Sequence, residues 1–253
     1  MAEELRGWGT LPPDAFERIV VLSPHLDDAV LGCGNLLAAH PGARVITVFA
    51  GAPASYPDPM TWWDQLSGFG AGDDPLAARR AEDAGALGEL GATPVWLDFV
   101  EHQYLDRHDR VRPDAVIDAL TAAVTGCDPT LVLAPFGLAN PDHDCVHEAT
   151  LAVRERVTAP VWCCYEDTGY KHIPGLLAWR VSQLFRAGLW PTPQALPSAS
   201  DGAAKARALA HYASQLRALE ADWALSEKLA APAPEQCWRL DPPPAGWEGL
   251  AAG

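Results

Sequence analysis

The chain has 253 residues, 49% of them hydrophobic and 20% charged, with a formal net charge of −15. That size allows one substantial core, so a single domain over 1–253 is expected, with its core at about 17–241 and a tail at 242–253. The acidic balance excludes a nucleic-acid partner, which needs a basic surface, and no apolar run approaches the ~20 residues that cross a bilayer.

The first 13 residues are polar and acidic, without the basic-then-apolar pattern of a signal peptide. Six cysteines (Cys33, Cys127, Cys145, Cys163, Cys164, Cys237) show no Cys-x-x-Cys spacing, and several sit in apolar runs. Reduced, mostly buried thiols in a cytoplasmic protein are expected, and the vicinal pair Cys163-Cys164 reads as core.

Ile19 to Leu22 reads as a buried strand, because it carries neither charge nor alternation. Ser23-Pro24 ends it, since proline cannot donate to a ladder. Ala29 to Ala39 then reads as a helix with Asp27 and Asp28 at its positive end. Arg44 to Ala50 is a second strand, and Gly51 to Pro59 a loop. Residues 60–74 mix tryptophan and phenylalanine with glycine, as in a mobile pocket rim. Pro75 to Leu90 is a helix that starts after Asp73-Asp74 and stops at Gly91. Val95 to Phe99 is a third strand, Val111 to Thr125 a helix, and Leu131 to Ala134 a fourth strand. A loop from Pro135 follows, then a helix from about Asp144 to Val157 and a fifth strand from Pro160 to Tyr165. Residues 202–230 form a long helical pattern, and Gln236 to Leu240 reads as a last edge strand. This alternation predicts a doubly wound α/β fold with a mostly parallel sheet.

Chemistry concentrates at two strand ends, where open α/β sheets place their sites. After the first strand come His25, Asp27 and Asp28; after the fourth come Asp142, His143 and, one helical turn later, His147. A catalytic zinc takes three protein ligands and leaves a position open. His25, Asp28 and His143 supply such a set if the two loops adjoin, with His147 the other candidate for the third place. Asp27 then faces the attacking water as general base, and metal coordination lowers the pKa of that water to about 7. Without the second loop, the two aspartates would read as helix caps. Gly32-Cys33-Gly34 lacks the spacing of a dinucleotide loop. Trp62, Trp63 and Phe69 can stack on a sugar or pack on the core.

Pro24-His25-Leu26-Asp27-Asp28 resembles the Pro-His-x-Asp-Asp signature of the PIG-L (LmbE-like) zinc-dependent N-deacetylases, and Asn140-Pro141-Asp142-His143 resembles their His-Pro-Asp-His motif. Further similarities are Arg79 to Asp83, Asp98 to Tyr104, Tyr165 to Asp167 and the closing Gln236 to Leu240. The resemblance implies a Rossmann-like fold and removal of an N-acetyl group from a sugar or similar amine, with release of acetate. It assigns zinc, or another divalent cation, to His25, Asp28 and His143. Asp27 becomes the base, able to return its proton to the leaving nitrogen. Arg79 would contact substrate hydroxyls and Glu101 would line the pocket. The family's first motif histidine, a stabiliser of the oxyanion, is Asn140 here. An amide still donates a hydrogen bond but carries no mobile proton, and losing such a stabiliser costs about 10²–10³ in rate. Either the metal carries more of the stabilisation, or His147, His102 or His172 substitutes. A non-catalytic sugar- or metal-binding protein and a hydrolase of longer acyl amides or esters are the rivals.

Overall fold

Residues 11–197, 202–229 and 235–247 are described by the structure, a computed structural model; the expectations for the first ten residues and the last six lie outside them. The strands are β1 (Ile19–Ser23), β2 (Arg44–Thr47), β3 (Thr93–Trp96), β4 (Leu131–Pro135), β5 (Val161–Tyr165), β6 (Trp190–Ala195) and β7 (Gln236–Asp241). They form one sheet in the order β3-β2-β1-β4-β5-β7-β6. The first five run parallel, and β7 is antiparallel to both β5 and β6.

The helices are α1 (Asp28–Ala39), α2 (Trp62–Ser67), α3 (Pro75–Glu89), α4 (Pro113–Cys127), α5 (Pro141–Arg156), α6 (Leu176–Arg186), α7 (Ala203–Leu209), α8 (Ala213–Trp223) and α9 (Leu225–Leu229). Because side chains alternate across a strand, β1 feeds two cores. Ile19 and Val21 pack with Leu36, Leu37, Leu87 and Tyr165 on one face. Val20 and Leu22 pack with Val116, Leu120, Val146 and Val153 on the other. Chain order reverses at β1, which has β2 on one side and β4 on the other, so the crevice beyond these strand ends is the switch point of the sheet.

Four expectations need correction. The pattern over 202–230 is not one helix. It breaks into α7, α8 and α9, with Ala224 in a left-handed conformation (φ 48°) between the last two. Periodicity alone carried no sign of these breaks. Gln236–Asp241 is interior, between β5 and β6, and the edge belongs to β6. Pro191 and Pro193 hid that strand from a sequence reading, yet two prolines two residues apart are tolerated where one side of a strand has no partner. The rim at 60–74 contains α2, whose Thr61 hydroxyl accepts from Asp64 N (3.1 Å), and Trp63 donates to Gln215 of α8 (3.1 Å), so this segment is anchored. Finally, α5 begins at Pro141 rather than near Asp144, which places Asp142 and His143 in its first turn.

Helix α1 breaks at Cys33 (φ −132°, ψ 16°), within Gly32-Cys33-Gly34. A Cβ on Gly32 would lie 2.6 Å from the Tyr165 ring, and one on Gly34 2.7 Å from the Lys205 chain. The Lys205–Glu235 ion pair (2.7 Å) fills the break. Lys205 donates to Leu31 O (2.7 Å), and Glu235 accepts from Asn35 N (2.9 Å) and Leu36 N (3.0 Å). Leu31 O, Asn35 N and Leu36 N, which an unbroken helix would pair within itself, therefore find side-chain partners instead.

Candidate active site

The β1–α1 turn is built by its own polar side chains. The Ser23 hydroxyl donates to His25 O (2.7 Å) and accepts from Ala29 N (3.0 Å), while His25 N donates to Asp28 Oδ2 (2.9 Å). This fixes His25, Asp27 and Asp28 beyond the end of β1. At the end of β4, Asn140 caps α5 by accepting from Asp142 N (2.8 Å), and Pro141 takes the first helical position, where no N–H is needed. That cap aims Asp142 and His143 at the first turn.

The two turns converge. One ligand atom from each of His25, Asp28 and His143 lies within 4.8 Å of the other two. Asp28 Oδ2 is 3.3 Å from His25 Nδ1 and 3.2 Å from His143 Nε2. Each imidazole turns its other nitrogen to a further carboxylate: His25 Nε2 to Asp142 (3.0 Å) and His143 Nδ1 to Asp167 (2.5 Å). Metal-bound histidines characteristically have such carboxylate partners, which fix the ring and raise its basicity. His25, His102 and Asp142 form a second group within the same reach, sharing His25.

The electrostatics follow from this crowding. Burial beside the Asp28 carboxylate pushes Asp27 up to about 8. Burial acts on Asp28 in the same direction, but His143 and His25 overcome it and hold that carboxyl well below its usual range. His143 is raised to about 9, because Asp28 and Asp167 outweigh a burial that favours the neutral ring. One carboxyl disposed to hold a proton thus adjoins one that is firmly ionised.

A cavity of about 420 Å³ opens above the cluster. Its floor includes His25, Asp27, Asp28, Glu101, His102, Asn140 and His143, and its walls include Leu31, Trp62, Trp63, Tyr170, Leu219 and Trp223. Arg79 is not among the lining residues. It is 1% exposed, donates to Asp64 (2.8 Å) and to the Tyr104 hydroxyl (3.2 Å), and lies 3.8 Å from Glu101. Its place is beneath the pocket, joining α2 to the Glu101 loop. His147 is also outside the cavity, buried with Nδ1 donating to Pro135 O (3.0 Å). Sequence reasoning gave no role to Asp142 or Asp167 and passed over Tyr170. A carboxylate sought for each candidate metal histidine would have pointed to the first two.

The sequence profile of the PIG-L family, described as GlcNAc-PI de-N-acetylase, matches residues 20–154, more than half of the chain. The chain belongs to the PIG-L family. As a PIG-L protein it is an enzyme of the metal-dependent N-deacetylase class. Among solved structures it is similar to the A40926 pseudoaglycone deacetylase Dbv21, with 30% identity, 90% of this chain and 98% of that one covered, and a TM-score of 0.72. It is also similar to a triple mutant of a deacetylase involved in the teicoplanin biosynthetic pathway (26% identity, 90% and 100% covered, TM-score 0.74). The N,N'-diacetylchitobiose deacetylase of Pyrococcus horikoshii shares the fold (15% identity, 95% and 91% covered, TM-score 0.53). No curated sequence matches the chain. Among the described residues, no helix is long and apolar enough to cross a membrane.

Proposed function

We propose that this PIG-L enzyme hydrolyses the N-acetyl group of an N-acetylated sugar or glycosylated small molecule, releasing acetate, with Asp27 as general base. The observation that carries the proposal is the meeting, at the switch point of the sheet, of His25, Asp28 and His143 beside the buried Asp27. Two imidazoles and a carboxylate, each imidazole backed by a further carboxylate, fit the three-ligand set of a catalytic zinc. His25, Asp28 and His143 would hold zinc or another divalent cation. When bound, such an ion acidifies water and polarises a carbonyl.

Asp27 takes the proton of the attacking water, and its raised affinity for protons suits it to keep that proton through the next step. Asn140 Nδ2, 3.5 Å from the Tyr170 hydroxyl at the cavity wall, offers a neutral donor to the developing oxyanion. Glu101 lines the pocket, and Arg79 positions it from below. The aromatic and aliphatic walls favour a substrate that carries more than one sugar ring's worth of apolar surface. The pseudoaglycone deacetylase relative is consistent with a glycosylated substrate of that kind.

Those same walls (Leu31, Leu219, Trp223 and Leu225) support a second reading, in which the acyl chain removed is longer than acetyl. The test is acid release from N-acetyl sugars, N-acetylated glycosides of apolar aglycones and their long-acyl counterparts, with and without a chelator. Chelator-sensitive acetate release is expected. Turnover of long-acyl amides alone supports the second reading, and metal binding without any turnover refutes both.

A further inference from the structure

When the C–N bond of an amide adduct breaks, the departing nitrogen must receive a proton, because an amide anion is too basic to leave. Asp27 has just taken the proton of water, so a separate donor would leave it the base's duty alone. The cavity offers few. His25 and His143 each turn both ring nitrogens to other site groups. Glu101 accepts from Gln103 and faces Arg79, and Asn140 carries only an amide. Among the remaining imidazoles, His147 and His172 do not line the cavity.

His102 differs from all of these. It lies on the 3₁₀ turn His102–Tyr104 after β3, so it reaches the cavity from a different strand end than Asp27. Asp142 Oδ2 accepts from both its backbone N (3.1 Å) and its Nδ1 (2.8 Å). Two bonds to one oxygen fix the ring with Nδ1–H towards the carboxylate. Nε2 engages no protein group among the described residues. A carboxylate that fixes the tautomer of an imidazole and balances its positive charge is the pairing used in acid–base catalysis on unrelated folds. With its side chain 26% exposed, the ring also has access to solvent.

We propose that His102, oriented by Asp142, is the catalytic acid that protonates the leaving amine. This rests on the amide-hydrolase function above. The C–N bond breaks, its electron pair stays on nitrogen, and nitrogen takes the proton from His102 Nε2. Neutral His102 regains a proton from solvent, and Asp27 releases to solvent the one it took from water. Acetate and amine are the products, and no redox partner is needed. Asp142 is a positioning residue that ties the acid to His25.

The test uses the full-length, metal-loaded protein and the N-acetylated glycoside that the panel above shows to be turned over, so an inactive wild type is a failure of the proposed function and not of this assignment. His102→Ala is expected to lower kcat about 100-fold or more while KM and metal content stay within threefold. Added imidazole should restore its rate at least tenfold and leave Asp27→Asn unaffected. His102→Gln, which keeps a hydrogen-bond donor of similar size but no transferable proton, should stay as slow as His102→Ala. A near-native kcat in either variant overturns the assignment. Loss of metal together with activity, or no response to imidazole, does so too, because His102 would then have a structural part only.

Discussion

Asp167 is the residue whose replacement most directly tests the metal centre without touching a proposed ligand. It is 1% exposed, accepts from His143 Nδ1 at 2.5 Å and from Leu138 N at 3.3 Å. Asp167→Asn keeps the volume and one acceptor oxygen but removes the charge. A charge-assisted bond is roughly twice as strong as a neutral one, and loss of such an outer partner weakens metal binding by about 10- to 100-fold. That range corresponds to about 1.4–2.8 kcal/mol. The measurement is zinc affinity of the chelator-stripped protein, by competition with a chromophoric chelator, alongside far-UV circular dichroism and Tm. A Kd within twofold of wild type in a folded variant would refute the reasoning. Retention of zinc by His143→Ala together with its loss in His147→Ala would show that the wrong histidine had been placed at the metal.

Asp27→Asn should keep zinc within threefold and lose 10²–10⁴ in kcat, and a variant that hydrolyses at the wild-type rate removes Asp27 as the base. Arg79→Met strands the buried Asp64 carboxylate and the nearby Glu101, so about 3–5 kcal/mol of stability should disappear. For a chain of this length that lowers Tm by about 10 °C, and an unchanged Tm in thermal unfolding would deny Arg79 its bracing role. Burial, with Arg180 nearby, lowers His147 to about 4, below the ~6.5 of an unfolded chain. The stability this neutral ring contributes is present above pH ~6.5 and lost as pH falls through about 4, roughly 3 kcal/mol in all. His147→Gln should flatten that acid limb in urea denaturation at pH 4–7, and identical limbs in the two proteins would show that His147 does not cause it.

Much of the frame was legible because it is written in local patterns. The uncharged run before Ser23-Pro24 read as a buried strand, and alternation with helices predicted the parallel sheet. His25, Asp28 and His143 were legible as a group because each follows a strand that neighbours the other. What escaped depends on contacts between distant parts of the chain. Arg79 was expected to contact substrate. Only the fold brings Asp64 and Tyr104 to it, 15 and 25 residues away. The Gly-x-Gly in α1 had no meaning until Tyr165, Lys205 and Glu235 were seen to occupy the space its missing side chains leave.

The break in α1 also indicates how the labour is divided along the chain. The family profile ends at residue 154, and by then His25, Asp27 and Asp28 of the β1–α1 turn and His143 of α5 have all been supplied. Beyond it come Asp167 behind His143, the Lys205–Glu235 clamp in α1, and Tyr170, Leu219 and Trp223 on the cavity wall. These later residues fall into two groups with different freedom to change. Asp167 and the clamp meet buried partners at 2.5–3.0 Å, so their chemistry is constrained by what they support. Leu219 and Trp223 line the cavity, where one apolar side chain of similar volume can replace another at low cost, whereas Tyr170 is tied to the floor by its edge-on packing against His143 and its bond from Asn140. Substitutions along α8 can therefore reshape the wall while the floor of the site stays fixed.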